Sequence, residues 1–132
     1  MGGRMSQKKK ILIVDDDPDF AAAIQKILTS NNYDVEVAGN VEEGMKAIEE
    51  ERPDLILLDV IMEKYDDGFN MCFDLKHDDR YREIPVIIIT AVTEVTGLKF
   101  DPNTDGEYLE AEEYVQKPIS AEVLLNKVAR LI

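Results

Sequence analysis

At 132 residues the chain has the size of one domain and enough length to bury a real core. Its 45% hydrophobic content fits a globular rather than a disordered polypeptide. A net charge of −13 opposes adhesion to nucleic acid or anionic membrane, which carry the same sign.

Cys72 is the single cysteine, so neither an intrachain disulfide nor a cysteine-built metal site can form, and a cytoplasmic setting is expected. No apolar run approaches the roughly 18–20 residues of a membrane span.

In chain order, residues 1–9 read as a flexible leader or an expression remnant with Met5 as the start, and they lack the apolar stretch of a signal peptide. Residues 10–132 read as one domain with no room for an output domain. Ile11–Val14, Leu55–Leu58 and Val86–Ile89 are unbroken apolar runs, which suit strands covered on both faces. Val35–Ala38 and Tyr114–Gln116 read as shorter strands.

Helical spacing lies between them. Phe20, Ile24, Ile27 and Leu28 share one face, with Asp17 as N-cap and Pro18 at the first helical position. Val41, Met45 and Ile48 repeat the pattern behind a capping-box variant, Asn40 with Glu43. Phe69, Cys72 and Phe73 form a third apolar stripe. Leu124, Val128 and Leu131 form the last, opened by Ser120.

A β-α unit repeated about five times predicts a doubly wound α/β fold. Its five-stranded parallel sheet should be flavodoxin-like, in the order 2-1-3-4-5 with right-handed crossovers. The fourth helix region is atypical. Ala91–Phe100 is poor in helix signal, and residues 101–106, Asp-Pro-Asn-Thr-Asp-Gly, read as a loop.

In such sheets ligands bind at the carboxyl ends of strands, near the switch in strand order. The first strand ends in Asp15-Asp16-Asp17 and the third in Asp59. Gathered carboxylates repel unless a cation sits among them, and Mg²⁺, with its oxygen ligands and retained waters, suits Asp15, Asp16 and Asp59. Asp17 reads as a cap. Thr90 ends the fourth strand and Lys117-Pro118 follows the fifth. A hydroxyl and an ammonium entering an acidic, cation-loaded crevice suit a phosphoryl group. His77, in a polar helix end, reads as a surface residue.

Several runs together resemble response-regulator receiver domains. They are Ile11-Leu-Ile-Val-Asp15-Asp16-Asp17-Pro18, Pro53-Asp-Leu-Ile-Leu-Leu-Asp59, Ile89-Thr90-Ala91 and Tyr114-Val-Gln-Lys117-Pro118. The resemblance covers about Lys9 to Ile132. It implies a cytoplasmic two-component phosphorylation switch rather than an enzyme acting on other substrates. Asp59 would accept a phosphoryl group from a histidine kinase or phosphotransfer protein, and a protein target would read the result, with no direct nucleic-acid or membrane contact. Asp16, Asp59 and the backbone carbonyl of Ile61 would hold Mg²⁺ directly, and Asp15 through a water. Thr90 and Lys117 would hold phosphoryl oxygens, and Tyr114 would be the switch aromatic.

The chain departs from the family pattern after Asp59, where Glu63 replaces a proline and the loop to Gly68 is about one residue longer. The Thr90-to-Lys117 stretch is also long, which predicts a remodelled partner surface. Ile61 and Val92 fall where receivers flank the path of attacking water; both are apolar, which predicts a slowly hydrolysing phosphoaspartate.

Two other readings compete. A haloacid-dehalogenase-type phosphatase could use Asp15-x-Asp17, but it leaves Asp59 unexplained and needs a cap domain. A flavodoxin-like binding module would need a Ser/Thr/Gly-rich phosphate turn after the first strand, where this chain places carboxylates, and a pseudo-receiver would lack the acidic residues or the lysine present here.

Overall fold

The unbroken apolar runs become the middle of a sheet. The computed structural model describes residues 8–59, 67–90, 112–116 and 119–132. Its strands are β1 (Lys10–Val14), β2 (Asp34–Ala38), β3 (Leu55–Asp59), β4 (Val86–Thr90) and β5 (Glu113–Gln116). Its helices are α1 (Pro18–Thr29), α2 (Val41–Glu50), α3 (Asp67–Lys76) and α4 (Ala121–Leu131). The strands pair in parallel in the order β2-β1-β3-β4-β5. The stretch expected to be an atypical helix region, 91–106, lies outside the described residues.

Alternation along each central strand divides the core into two layers. Ile11 and Ile13 of β1, Leu55 and Leu57 of β3, and Ile87 and Ile89 of β4 pack with Ala21, Ile24, Leu28, Leu124 and Val128 of α1 and α4. Leu12, Val14, Ile56, Leu58, Val86 and Ile88 face the other way, toward Ala47, Ile48, Met71, Cys72 and Leu75 of α2 and α3. Burial on both faces is why these strands carry no polar residue until their ends.

The helix starts follow the capping chemistry legible in the chain. The Asp17 side chain accepts hydrogen bonds from the Asp19 and Phe20 amides at 3.1 and 3.2 Å. Asn40 accepts from the Glu43 amide at 2.8 Å, but Glu43 reaches back to the Gly39 amide at 3.0 Å rather than to that of Asn40. The reciprocal bond is thus shifted one residue upstream of the usual capping box. Ser120 caps α4 through the Val123 amide at 3.1 Å.

In α3 the expected stripe needs correction. Among the described side chains of α3, Met71, Leu75 and, as expected, Cys72 are buried, whereas Phe73 is 50% exposed and stacks on His77 with ring centroids 4.1 Å apart. The Phe69 side chain lies outside the description. Helical spacing explains it: 71, 72 and 75 form one face, and residue 73 falls a further ~100° round the helix. His77 is exposed, as expected.

Candidate functional site

Register and alternation bring two aspartates together before any motif is invoked. β1 and β3 pair with Ile11 opposite Leu55 and Ile13 opposite Leu57, all on the α1/α4 face. One further step along that face puts Asp15 beside Asp59. The apolar runs end at the same level of the sheet, so both carboxylates emerge at its carboxyl edge, between two hydrogen-bonded strands.

The backbone then fixes the first of them. The Asp15 amide donates to the Ala38 carbonyl at 3.0 Å, which extends the β1–β2 ladder one residue past the strand. The Asp15 carboxylate accepts the Asp17 amide at 2.9 Å, a local turn that sends the chain into α1. Asp15 is 2% and Asp59 3% exposed, while Asp16 faces solvent.

Carboxylate oxygens of Asp15, Asp16 and Asp59 all lie within 4.8 Å of one another. Two like charges 4 Å apart repel by about 4 kcal/mol at an effective dielectric near 20. Three such groups, two of them buried, therefore fit a divalent cation. An all-oxygen donor set with one member open to water suits a hard ion that keeps part of its hydration shell.

Other expected site residues are placed only in part. Thr90 is the last residue of β4 and pairs with Gln116, and Tyr114 pairs with Ile88 in β5. The side chains of Thr90 and Tyr114 lie outside the description. Ile61, Val92 and Lys117 lie outside the described residues altogether, as does the loop around Glu63. Asp17, by contrast, is accounted for by its cap. The turn bond to Asp15 was missed in the sequence, although aspartates two apart at a helix entry are its usual signal.

Fold and site together define a doubly wound α/β protein with an acidic pocket at its strand ends. The response regulator receiver domain family model matches residues 11–129, and the chain belongs to that family. It is 34% identical over 123 residues to a protein of Synechocystis described as a DNA-binding dual master transcriptional regulator, covering 93% of this chain and 48% of that protein. It is 36% identical over 124 residues to the alkaline phosphatase synthesis transcriptional regulatory protein of Bacillus subtilis, covering 94% and 48%. The chain thus spans about half the length of these curated relatives.

Among solved structures, a putative response regulator from Chloroflexus aurantiacus superposes with a TM-score of 0.81 at 25% identity, covering 94% of this chain and 97% of that one. The receiver domain of a histidine kinase from Syntrophus aciditrophicus superposes at 0.77 with 35% identity, covering 93% and 89%.

These matches favour the receiver over the phosphatase and pseudo-receiver readings. They do not support the expected absence of nucleic-acid contact, because relatives twice as long are described as DNA-binding; the acidic charge speaks for this chain alone. No helix among the described residues is long and apolar enough to cross a membrane.

Proposed function

We propose that the chain works as a phosphoacceptor switch of two-component signalling, with Asp59 as the acceptor. The observation that carries this is Asp59 itself, a nearly buried carboxylate at the end of β3, gathered with Asp15 and Asp16 in a chain of the receiver family. In the reaction, one Asp59 oxygen attacks phosphorus. The bond from phosphorus to the donor's nitrogen or oxygen breaks, and the donor leaves with that electron pair.

Asp16, Asp59 and the Ile61 carbonyl would hold Mg²⁺, with Asp15 acting through water. The bound ion supplies neutralisation of charge on the phosphoryl oxygens. Thr90 and Lys117 would hold those oxygens, and Tyr114 would follow Thr90 inward. A local charge change thereby biases a two-state surface.

The donor is a histidine kinase or phosphotransfer protein, the setting cytoplasmic, and the reader a protein target. The only chemistry is the chain's own phosphotransfer and slow self-dephosphorylation. Residues 10–132 form the receiver unit. Apolar Ile61 and Val92 neither orient water nor admit it readily, so the phosphoaspartate is long-lived.

Intact mass after acetyl phosphate and Mg²⁺ tests the acceptor. Wild type should gain one phosphoryl group and Asp59→Asn none. Equal labelling of Asp59→Asn, or loss of labelling in Asp15→Asn alone, would overturn it. Timing the decay tests the lifetime: survival for only seconds, unchanged by polar substitutions at 61 and 92, would count against the apolar gate.

A further inference from the structure

At the opposite end of the sheet from the aspartates, one glutamate closes the start of β5 against β4. The Glu112 amide donates to the Val86 carbonyl at 3.0 Å, and Glu112 Oε1 accepts the Val86 amide at 2.8 Å. A single residue thus takes both backbone groups of Val86, one through its main chain and one through its side chain.

Its second carboxylate oxygen, Oε2, accepts from Lys76 Nζ at 2.8 Å. That ammonium also donates to the Ile84 carbonyl at 2.8 Å and the Arg82 carbonyl at 3.2 Å, and the Lys76 side chain is only 6% exposed. All three ammonium protons are therefore used, and the carboxylate is locked to the end of α3.

The arrangement matters because β5 is weakly specified by itself. It has four residues and, among the described residues, pairs with β4 alone. Its first residue, Glu113, is also tied to α4 by Lys127 and Arg130 at 2.9 and 3.2 Å, which holds the strand to a helix but bonds to no ladder group of β4. A short strand at a sheet edge holds its register through few ladder bonds. β5 carries Tyr114 and runs directly to the residue before Lys117. The position of Glu112, the residue that leads into it, therefore sets how far the chain has advanced when it reaches the phosphoryl site.

We infer that Glu112, clamped by Lys76, is a positioning residue for phosphotransfer: it fixes the register of β5 and so the delivery of Lys117 and Tyr114. The inference rests on the proposed roles of those two residues. It predicts an effect on phosphotransfer from a site that touches neither the phosphoryl group nor the carboxylate cluster.

The test compares wild type with E112A, E112Q and K76M. It reads the initial phosphorylation rate at saturating acetyl phosphate and Mg²⁺, Mg²⁺ affinity by calorimetry, and amide exchange across Glu113–Gln116. E112A and K76M should phosphorylate about tenfold or more slowly, the scale of a small misplacement of a reacting group. Their β5 amides should exchange faster while Mg²⁺ affinity stays unchanged. E112Q keeps an oxygen for the Val86 amide but turns its NH2 on the Lys76 ammonium, so it should lose the clamp as K76M does and match that variant's rate rather than wild type's.

An unchanged rate would overturn the inference, and so would a loss of rate matched by an equal loss of Mg²⁺ affinity. If E112A does not fold, K76M and E112Q carry the same comparison. A wild-type chain that takes no phosphoryl group would sink the acceptor reading instead, leaving exchange at Glu113–Gln116 to decide the clamp.

Discussion

Lys10 opens β1 with its side chain 11% exposed, between Glu36 at 2.9 Å and Glu51 at 2.8 Å. Burial alone would lower its pKa, but the hydrogen bonds to Glu51 and Glu36 outweigh that and hold it above the ordinary lysine value of 10.5. A raised folded-state pKa contributes stability that is complete below that ordinary value and is lost as pH rises through the folded one. Lys10→Met should therefore lose about 1 kcal/mol in urea unfolding at neutral pH, the range of partly exposed ion pairs. Its gap to wild type should close in strongly alkaline buffer; a gap independent of pH would refute the pairing. Gly44 is a second such position. A Cβ there would lie 3.0 Å from Val14 Cγ2 and 3.1 Å from Met71 Cε. Alanine favours helix over glycine by up to about 1 kcal/mol, yet the stiff Val14 cannot yield, so Gly44→Ala should be net destabilising by about 1 kcal/mol in the same assay. Residues such as Asp15, Asp59 and Asp17 were legible in the sequence because each coincides with the end of an apolar run or the start of a helix. Lys10, Lys76 and Glu112 were not, because their partners come from remote elements and no local pattern announces them.

At the level of elements, α1 depends on its cap. Asp17→Ala should cost about 1 kcal/mol in thermal unfolding, and Asp17→Asn much less, since the amide oxygen can still accept from the Asp19 and Phe20 amides. Equal losses in the two variants would show that charge rather than capping matters there. The central strands could be read from sequence because burial on both faces leaves no polar residue to blur their limits. In α3 the place of Phe73 was not legible for a physical reason: the aromatic ring carries the larger hydrophobic signal, yet Met71 and Leu75 join Cys72 on the buried side. Stacking on His77 covers part of the Phe73 ring and removes some of the penalty of leaving it outside.

For the whole molecule, the consequence of the acidic pocket is ligand-linked stability. Mg²⁺ binding only to the folded chain should raise the thermal midpoint, by about 2.7 kcal/mol equivalent at a hundredfold excess over the dissociation constant. Chelation should reverse the rise, and Asp59→Asn should blunt it. An identical rise in wild type and Asp59→Asn would place the ion elsewhere. High salt should weaken the effect, since Asp16 is open to solvent and its charge is screened.

The ladder bond from the Asp15 amide to the Ala38 carbonyl has a kinetic corollary. It extends the sheet's rigidity into the acidic turn, and the Asp17 amide on the Asp15 carboxylate closes that turn upon itself. An arriving cation would meet a half-site already shaped, with little chain entropy left to surrender on capture. Its rate of entry would then follow how quickly the ion sheds water rather than how quickly the protein rearranges, so the pocket could be charged and ready well before any phosphodonor docks.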